Sequence, residues 1–313
     1  MKIVFMGTPD FAVPSLQILI EEDYNVLKVV TQPDRPKGRG KKITMPPVKQ
    51  MALKHNLQVY QPHSLRERET IEILEKLEPD IIIVVAYGNI LPKEVLSIPP
   101  LGCINVHASL LPKYRGAGPI QWAIINGEAS TGITTMYMEE GLDTGDMILK
   151  KELRIGENET AGELHNRLSL LGSNALGETL KLIEKGSAPR IKQDHKKSTY
   201  APMLTKDLGN IKWDKTADEI HNLIRGTIPW PVAYTTYKDR NMKIWKSRVA
   251  RGNASELPGK IIEITKDEII VSTGKNNLII EEVQFSGGKR LTVRDFLVGN
   301  TIDENVILGY SNE

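Results

Sequence analysis

Asn105 and His107 stand two residues apart in the run CINVHA, where the neighbouring side chains are apolar. In a strand, positions i and i+2 face the same side, so an amide donor and an imidazole would lie next to each other. Such a pair can bind an oxygen that becomes negative during a reaction. The imidazole can also move a proton near neutral pH. The plain alternative is a histidine satisfied by hydrogen bonds inside the core. A second cluster, EEGLDTGDMI from Glu139 to Ile148, sets Asp143 in a glycine-bounded turn. A carboxylate returning over the sheet there can orient His107, take a proton from an amine, or do both. Asp146 is an alternative acid, and both aspartates also suit ordinary turn capping beside glycine.

Positive charge is concentrated twice. Between Gln32 and Lys49, Arg35, Lys37, Arg39, Lys41, Lys42 and Lys49 face one acid, Asp34, a net charge of +5. Pro33, Pro36, Gly38 and Gly40 oppose regular structure, so the segment reads as an exposed basic loop suited to a phosphate backbone. A solvated loop with scattered charge is the alternative. From Lys238 to Arg251, Lys238, Arg240, Lys243, Lys246, Arg248 and Arg251 face only Asp239, again +5. One side of that region is then positive, and nucleic acid is a natural partner. Trp245, inside this second cluster, reads as packing rather than as a platform for a base.

These residues need elements to hold them. Apolar runs at Lys2–Gly7, Asn25–Thr31, Ile81–Ala86, Cys103–Ala108 and Ile133–Met138 read as strands, with a short one at Gln58–Tyr60. Helical spacing appears at Pro14–Glu22, Ser64–Glu78, Pro119–Asn126 and Thr160–Lys185, the last carrying Gly162, Gly172 and Gly177. The alternation predicts an α/β fold with a mostly parallel sheet. Asn105 and His107 then sit near the carboxyl end of a parallel strand, where open α/β sheets place their sites. A stretch poor in apolar residues, Ser187 to Lys206, reads as a linker. The chain therefore divides into 1–188, a linker at 189–206, and 207–313. A helix over Thr216–Arg225 and five strand-like runs between Val232 and Gln284 suggest a small β-barrel, with an open sheet packed on a helix as the alternative.

Other classes are disfavoured. The chain has 313 residues, 40% hydrophobic and 26% charged, as in ordinary globular proteins. Its longest apolar runs are too short to cross a bilayer. The N-terminus has no secretory signal core, and the lone Cys103 precludes an internal disulfide, which fits a reducing cytoplasm. There is no GxGxxG, no GxxxxGK[ST], no HExxH and no cysteine pair, so neither a dinucleotide nor a metal is indicated.

The motifs GTPDFAVPSL, TQPDRPKGRGKK, VVAYGNILP, GCINVHASLLPKYRGAGPIQWAI, GLDTGDM and IPWPVAY resemble the methionyl-tRNA formyltransferase family over essentially the whole chain. The resemblance implies a Rossmann-like formyltransferase domain followed by an OB-like barrel. It implies a catalytic trio at Asn105, His107 and Asp143, and a folate-site motif at Ser109, Leu110, Leu111 and Pro112. The co-substrate would be 10-formyltetrahydrofolate, with no metal. The segment from Gln32 to Lys42 resembles an insertion that enters the acceptor end of initiator methionyl-tRNA, with Arg39 at its key arginine. Arg35, Lys37, Lys41 and Lys42, and on the second domain Lys243, Lys246 and Arg248, would add tRNA contacts. A monomeric bacterial cytoplasmic enzyme is expected, without DNA or membrane partners. Competing readings are a formyltransferase for a small molecule and a non-catalytic tRNA-binding protein.

Overall fold

The computed structural model describes residues 1–37, 42–252 and 256–310. The chain forms two compact units that interleave in sequence. One comprises Met1–Pro119, Thr131–Leu153 and His165–Ala201; the other comprises Ile120–Ser130, Arg154–Leu164 and Pro202–Glu313.

The first half runs β1 (Lys2–Gly7), α1 (Val13–Glu21), β2 (Asn25–Val30), β3 (Arg35–Lys37), β4 (Lys42–Thr44), α2 (Pro47–Lys54), β5 (Val59–Tyr60), α3 (Arg68–Lys76), β6 (Ile81–Val85), α4 (Lys93–Leu96) and β7 (Cys103–His107). It continues through β8 (Arg115–Gly116), α5 (Pro119–Ile125), β9 (Ser130–Tyr137), β10 (Met147–Arg154), α6 (Ala161–Glu184) and β11 (Tyr200–Ala201). Among the described residues a seven-stranded sheet takes the order β10-β9-β7-β6-β1-β2-β5. The pairs β5–β2, β2–β1, β1–β6 and β6–β7 are parallel, while β7–β9 is antiparallel.

The central strands are apolar throughout because both faces are covered. Ile3 to Met6 and Ile81 to Ile83 are fully buried. On one face, Val4, Met6, Ile82, Val84 and Cys103 pack with Leu65, Leu74 and Val95. Helix α6 is unbroken despite its glycines. A Cβ on Gly172 would sit 3.1 Å from Val106 Cγ1 and 3.5 Å from Ile133 Cδ1, so this glycine lets the helix lie close against the sheet. Strand order reverses between β1 and β6, the place where doubly wound sheets open a ligand crevice at their carboxyl ends.

Three features of this unit differ from the sequence expectation. Residues 35–37 and 42–44 form an antiparallel ladder, not an irregular loop. Pro36 is tolerated because this ribbon has only two strands, leaving its nitrogen on an outer edge. Strand β10 was not expected: after buried Met147 and Ile148 it alternates half-buried and exposed residues at the sheet margin, and it carries Lys150, Lys151, Glu152 and Arg154. Residues 191–201 are ordered against this unit through the Met147–Ile191 bridge and the β8–β11 ladder.

The second unit contains α7 (Ala217–Gly226), β12 (Tyr234–Tyr237), β13 (Arg240–Ala250), β14 (Ile261–Ile264), β15 (Ile269–Ser272), β16 (Asn277–Phe285), β17 (Leu291–Thr292) and α8 (Val293–Gly299). Helix α7 begins at a capping box: Glu219 N donates to Thr216 Oγ1 at 3.2 Å, and Thr216 N donates to Glu219 Oε2 at 2.9 Å. The antiparallel order is β12-β13-β16-β15-β14, with β17 beside β16. The two edge strands are bridged by the segment near the C-terminus. Ile261 N donates to Val306 O at 2.9 Å and Gly309 N donates to Thr236 O at 2.8 Å. This half-barrel agrees with the OB-like expectation. It surrounds an apolar core that includes Trp213, Ile220, Met242, Ile244, Val271, Ile280, Phe285 and Phe296.

Candidate active site

Strand β7 ends at His107, and its period of two puts Cys103, Asn105 and His107 on one face. Cys103 is buried in the core, where burial pushes its thiol up to about 12, so it stays an inert thiol. Asn105 is half-buried and His107 is 6% exposed. The chain then turns through Ser109–Tyr114, and His107 Nε2–H donates to the Tyr114 carbonyl at 2.9 Å. That bond fixes the tautomer and leaves Nδ1 facing Asp143 Oδ2 at 3.7 Å. The separation is an ionic approach, too long for a hydrogen bond. Orientation of the ring therefore comes first from the backbone of Tyr114, where a carboxylate was expected to do it.

Asp143 returns from the loop between β9 and β10. Tyr137 N donates to Asp146 O at 2.9 Å and closes that loop. Asp143 adopts φ +51°, a left-handed conformation that aspartate tolerates better than most residues. Its Oδ2 accepts from Gly116 N at 2.8 Å, and its Oδ1 lies 3.4 Å from the Asn105 Nδ2 donor. Gly116 has φ +110°, and a Cβ there would meet Ala201 O at 2.7 Å, so the position requires glycine. Asp146 is directed elsewhere, with Arg190 Nη1 at 4.0 Å from its Oδ2. Asn105, His107 and Asp143 thus converge, and Asp146 stays apart.

The other expected residues are placed unevenly. Ser109 is fully buried; its hydroxyl donates to Lys113 O at 2.6 Å and its carbonyl accepts from Thr134 Oγ1 at 2.7 Å. Leu111 is fully buried, and its N–H donates to Thr134 Oγ1 at 3.1 Å. Leu110 and Pro112 are half-buried. Arg35 is exposed, 3.4 Å from Gln32 Oε1. Lys37 and Lys42 sit on the paired strands β3 and β4, while Arg39 and Lys41 lie outside the described residues. Lys49 is taken up by Asp34, with Nζ–Oδ distances of 2.9 and 2.8 Å. On β13 a bulge between Ile244 and Ser247 keeps Ser247 buried and turns Lys246 and Arg248 outward. Lys246 pairs with Glu281 at 3.2 Å, and Arg248 with Glu268 at 2.6 Å and Glu281 at 3.4 Å. Arg251 meets Asp218, and Lys238 meets Asp303. Cross-strand acids therefore offset much of the second cluster's charge, leaving Lys243 half-buried and without an ion pair among the described residues.

An open cavity of about 520 Å³ lies at the carboxyl ends of β1, β2 and β6, lined by Thr8, Pro9, Gln32, Arg35, Met45 and Ala86–Asn89 among others. Gln32 Nε2 and the Tyr87 hydroxyl are buried without hydrogen-bond partners. Burial pushes the Tyr87 hydroxyl up to about 12, so it remains a donor. The size and the unpaired polar atoms of these lining residues suit a ligand with acceptor groups. Among the described residues, no group of three or more His, Cys, Asp or Glu is placed to hold a metal ion.

Sequence reasoning passed over Arg115, Tyr114, Gln193 and Thr199. Arg115 stands inside the KYRGAG motif and was visible; Gln193 and Thr199 lie in a polar stretch with no periodic signal.

Comparison with known proteins agrees with both units. The family described as Formyl transferase matches residues 1–180, and the family described as Formyl transferase, C-terminal domain, matches residues 203–301. A methionyl-tRNA formyltransferase from Alkaliphilus oremlandii (strain OhILAs) is 60% identical over 309 residues, covering 99% of this chain and 100% of the relative. One from Clostridioides difficile (strain 630) is 59% identical, with the same coverage. Among solved structures, WlaRD, a sugar 3N-formyl transferase, superposes with TM-score 0.69 at 22% identity, covering 92% of this chain and 99% of that one. That likeness concerns the fold. The full-length identity to curated relatives goes further: the chain belongs to the methionyl-tRNA formyltransferase family.

Proposed function

We propose that the chain transfers the formyl group of 10-formyltetrahydrofolate to the α-amine of methionine on initiator methionyl-tRNA, giving N-formylmethionyl-tRNA for translation initiation. The observation that carries this reading is family membership running through both units at high identity. An enzyme for a small acceptor would leave the basic hairpin without a clear role.

The bound co-substrate supplies a formyl carbon, on N10, that an amine can attack. The rest belongs to the chain. The α-amine must first shed its ammonium proton. That first proton goes to solvent; with Nε2–H held by the Tyr114 carbonyl, neutral His107 offers its Nδ1 lone pair for the second, which the nitrogen gives up as it adds to the formyl carbon. Once protonated, Nδ1–H becomes a donor, and Asp143 beside it balances the imidazolium charge. Asn105 Nδ2 has two hydrogens. One is directed toward Asp143, which leaves the other for the oxygen that turns negative as the amine adds. The proton held at His107 can then return to the leaving nitrogen. Ser109–Pro112 would shape the folate side through its backbone and through Leu110 and Pro112, because the Ser109 and Leu111 side chains face inward.

We assign the formyl chemistry to residues 1–188 and the second tRNA surface to 207–313, with 189–206 between them. Arg35, Lys37, Arg39, Lys41 and Lys42 would meet acceptor-end phosphates, and Lys243, Lys246 and Arg248 would contact tRNA more weakly. The protein is read as a bacterial cytoplasmic monomer without DNA or membrane partners, and sedimentation at working concentration tests the monomer. The decisive experiment offers labelled 10-formyltetrahydrofolate to initiator Met-tRNA and, separately, to glycinamide ribonucleotide. Label on Met-tRNA alone is expected; label on the small acceptor alone would overturn the tRNA assignment.

A further inference from the structure

Gln193 is 6% exposed within an otherwise polar, largely exposed stretch. Its Nε2 donates both hydrogens into the Asp143 loop, to Asp143 O at 2.8 Å and to Gly145 O at 2.8 Å. Its Oε1 accepts from Arg115 Nε at 3.1 Å and from Arg115 Nη2 at 2.7 Å. Both donors and the carbonyl oxygen are therefore used, which leaves the amide one orientation. Arg115 Nη2 is further held by His195 Nδ1 at 3.1 Å. Two residues before Gln193, Ile191 and Met147 exchange backbone hydrogen bonds at 2.9 Å each, anchoring the segment beside β10. The same segment reaches the histidine side of the site. Thr199 Oγ1 accepts from Tyr114 N at 2.8 Å, and Tyr114 presents the carbonyl that holds His107.

Asp143 is in a left-handed conformation that does not hold itself, and a carbonyl on each side of Thr144 needs a donor. Gln193 supplies both donors. We infer that Gln193 is a positioning residue: it fixes the Asp143–Gly145 backbone so that the Asp143 carboxylate meets Gly116 N–H and stands beside His107, and it acts on catalysis through Asp143. This inference rests on the formyl-transfer reading for its kinetic consequence and on geometry alone for its structural one. A misplacement of about 1 Å at a reacting group costs on the order of 100-fold in rate.

The test uses the full chain with Gln193→Ala and Gln193→Glu. Glutamate keeps the size and the Arg115 partner but faces the two loop carbonyls with acceptors, so it remains informative if the alanine variant folds poorly. Both variants are expected to lose about 10- to 100-fold in kcat, with KM for Met-tRNA and for the folate within about twofold. Amide hydrogen exchange across 139–146 is expected to quicken in both. In an Asp143→Asn background, each Gln193 substitution is expected to cost less than about twofold, because the group it positions is already lost. Losses that multiply in the double variant, or single variants with kcat near wild type, would overturn the inference. Should wild type form no formyl-methionyl-tRNA, the functional reading fails. Exchange at 139–146 then still decides: unchanged rates in both variants refute the positioning role, and faster rates support it.

Discussion

Each unit buries one histidine, and the two environments differ in kind. His107 is 6% exposed and His221 is 8% exposed. The Ser247 hydroxyl lies 3.0 Å from His221 Nδ1, and the Glu157 carbonyl lies 3.3 Å from Nε2. With Nε2–H donating to that carbonyl and the hydroxyl donating to Nδ1, a neutral ring is fully satisfied. Burial holds His221 below the ordinary histidine range and nearby Arg225 acts in the same direction, against opposing contributions from the Glu157 carbonyl, Asp218 and Glu281. His107 has one nitrogen satisfied and the other facing a carboxylate across 3.7 Å, with the Asn105 amide alongside. Burial is common to both. Chemistry needs the incompletely paired nitrogen and the polar company, and only the first unit provides them.

The sharpest way to break this contrast is to remove each histidine. His107→Ala is expected to lower kcat of the folded variant by about 100- to 10,000-fold. A variant that keeps wild-type turnover would reduce His107 to packing. Next, Asn105→Ala is expected to cost roughly 100- to 1,000-fold in kcat, the usual loss of one oxyanion donor, as read by single-turnover formyl transfer. Asp143→Asn should exceed Asp146→Asn by at least about tenfold; equal losses would return the choice of acid to the ambiguity of the sequence.

His221 sharpens the other side. His221→Gln is expected to change formyl transfer by less than about threefold while costing on the order of 1–3 kcal/mol in stability, measured by denaturant unfolding. Its pH dependence has a definite sign. The unfolded imidazole takes up a proton near its ordinary value of 6.5, while the folded one resists until lower pH. The unfolded chain therefore binds more protons, and stability rises with pH. The contribution is complete above about 6.5 and is lost as pH falls through the lowered folded value. His221→Gln should flatten that slope, and an unchanged slope would assign the acid sensitivity to other groups. The smallest expected effect is at Arg248, already neutralised by Glu268 and Glu281. Arg248→Ala should raise KM for tRNA by about twofold or less, as for an exposed paired charge.

Much of the fold follows from local pattern. The buried runs at β1 and β6 announce parallel strands because no polar alternation interrupts them, and the positions of Asn105 and His107 on β7 follow from the period of two. The ladder at β3 and β4 was hidden because proline and glycine signal a break, and a two-stranded ribbon tolerates proline on its outer edge. Strand β10 was hidden by its charged edge positions. The second basic cluster looked more positive than it is, because counting along β13 omits Glu268 just before β15, Glu281 on β16 and Asp218 on α7, which the fold brings beside it.

The sequence by itself determined the chemistry available: an amide and an imidazole on one strand face, aspartates in a glycine turn, a basic segment between Gln32 and Lys49, and motifs that resemble one family. Tertiary structure alone decided that Asp143 meets Asn105 and His107 while Asp146 turns to Arg190. It also decided that Tyr114 sets the histidine tautomer, and that Gln193 joins the site from 50 residues beyond Asp143. Spacing along a chain specifies neighbours over a turn or a strand. Partners tens of residues apart are chosen by strand order and loop closure, which no local period encodes.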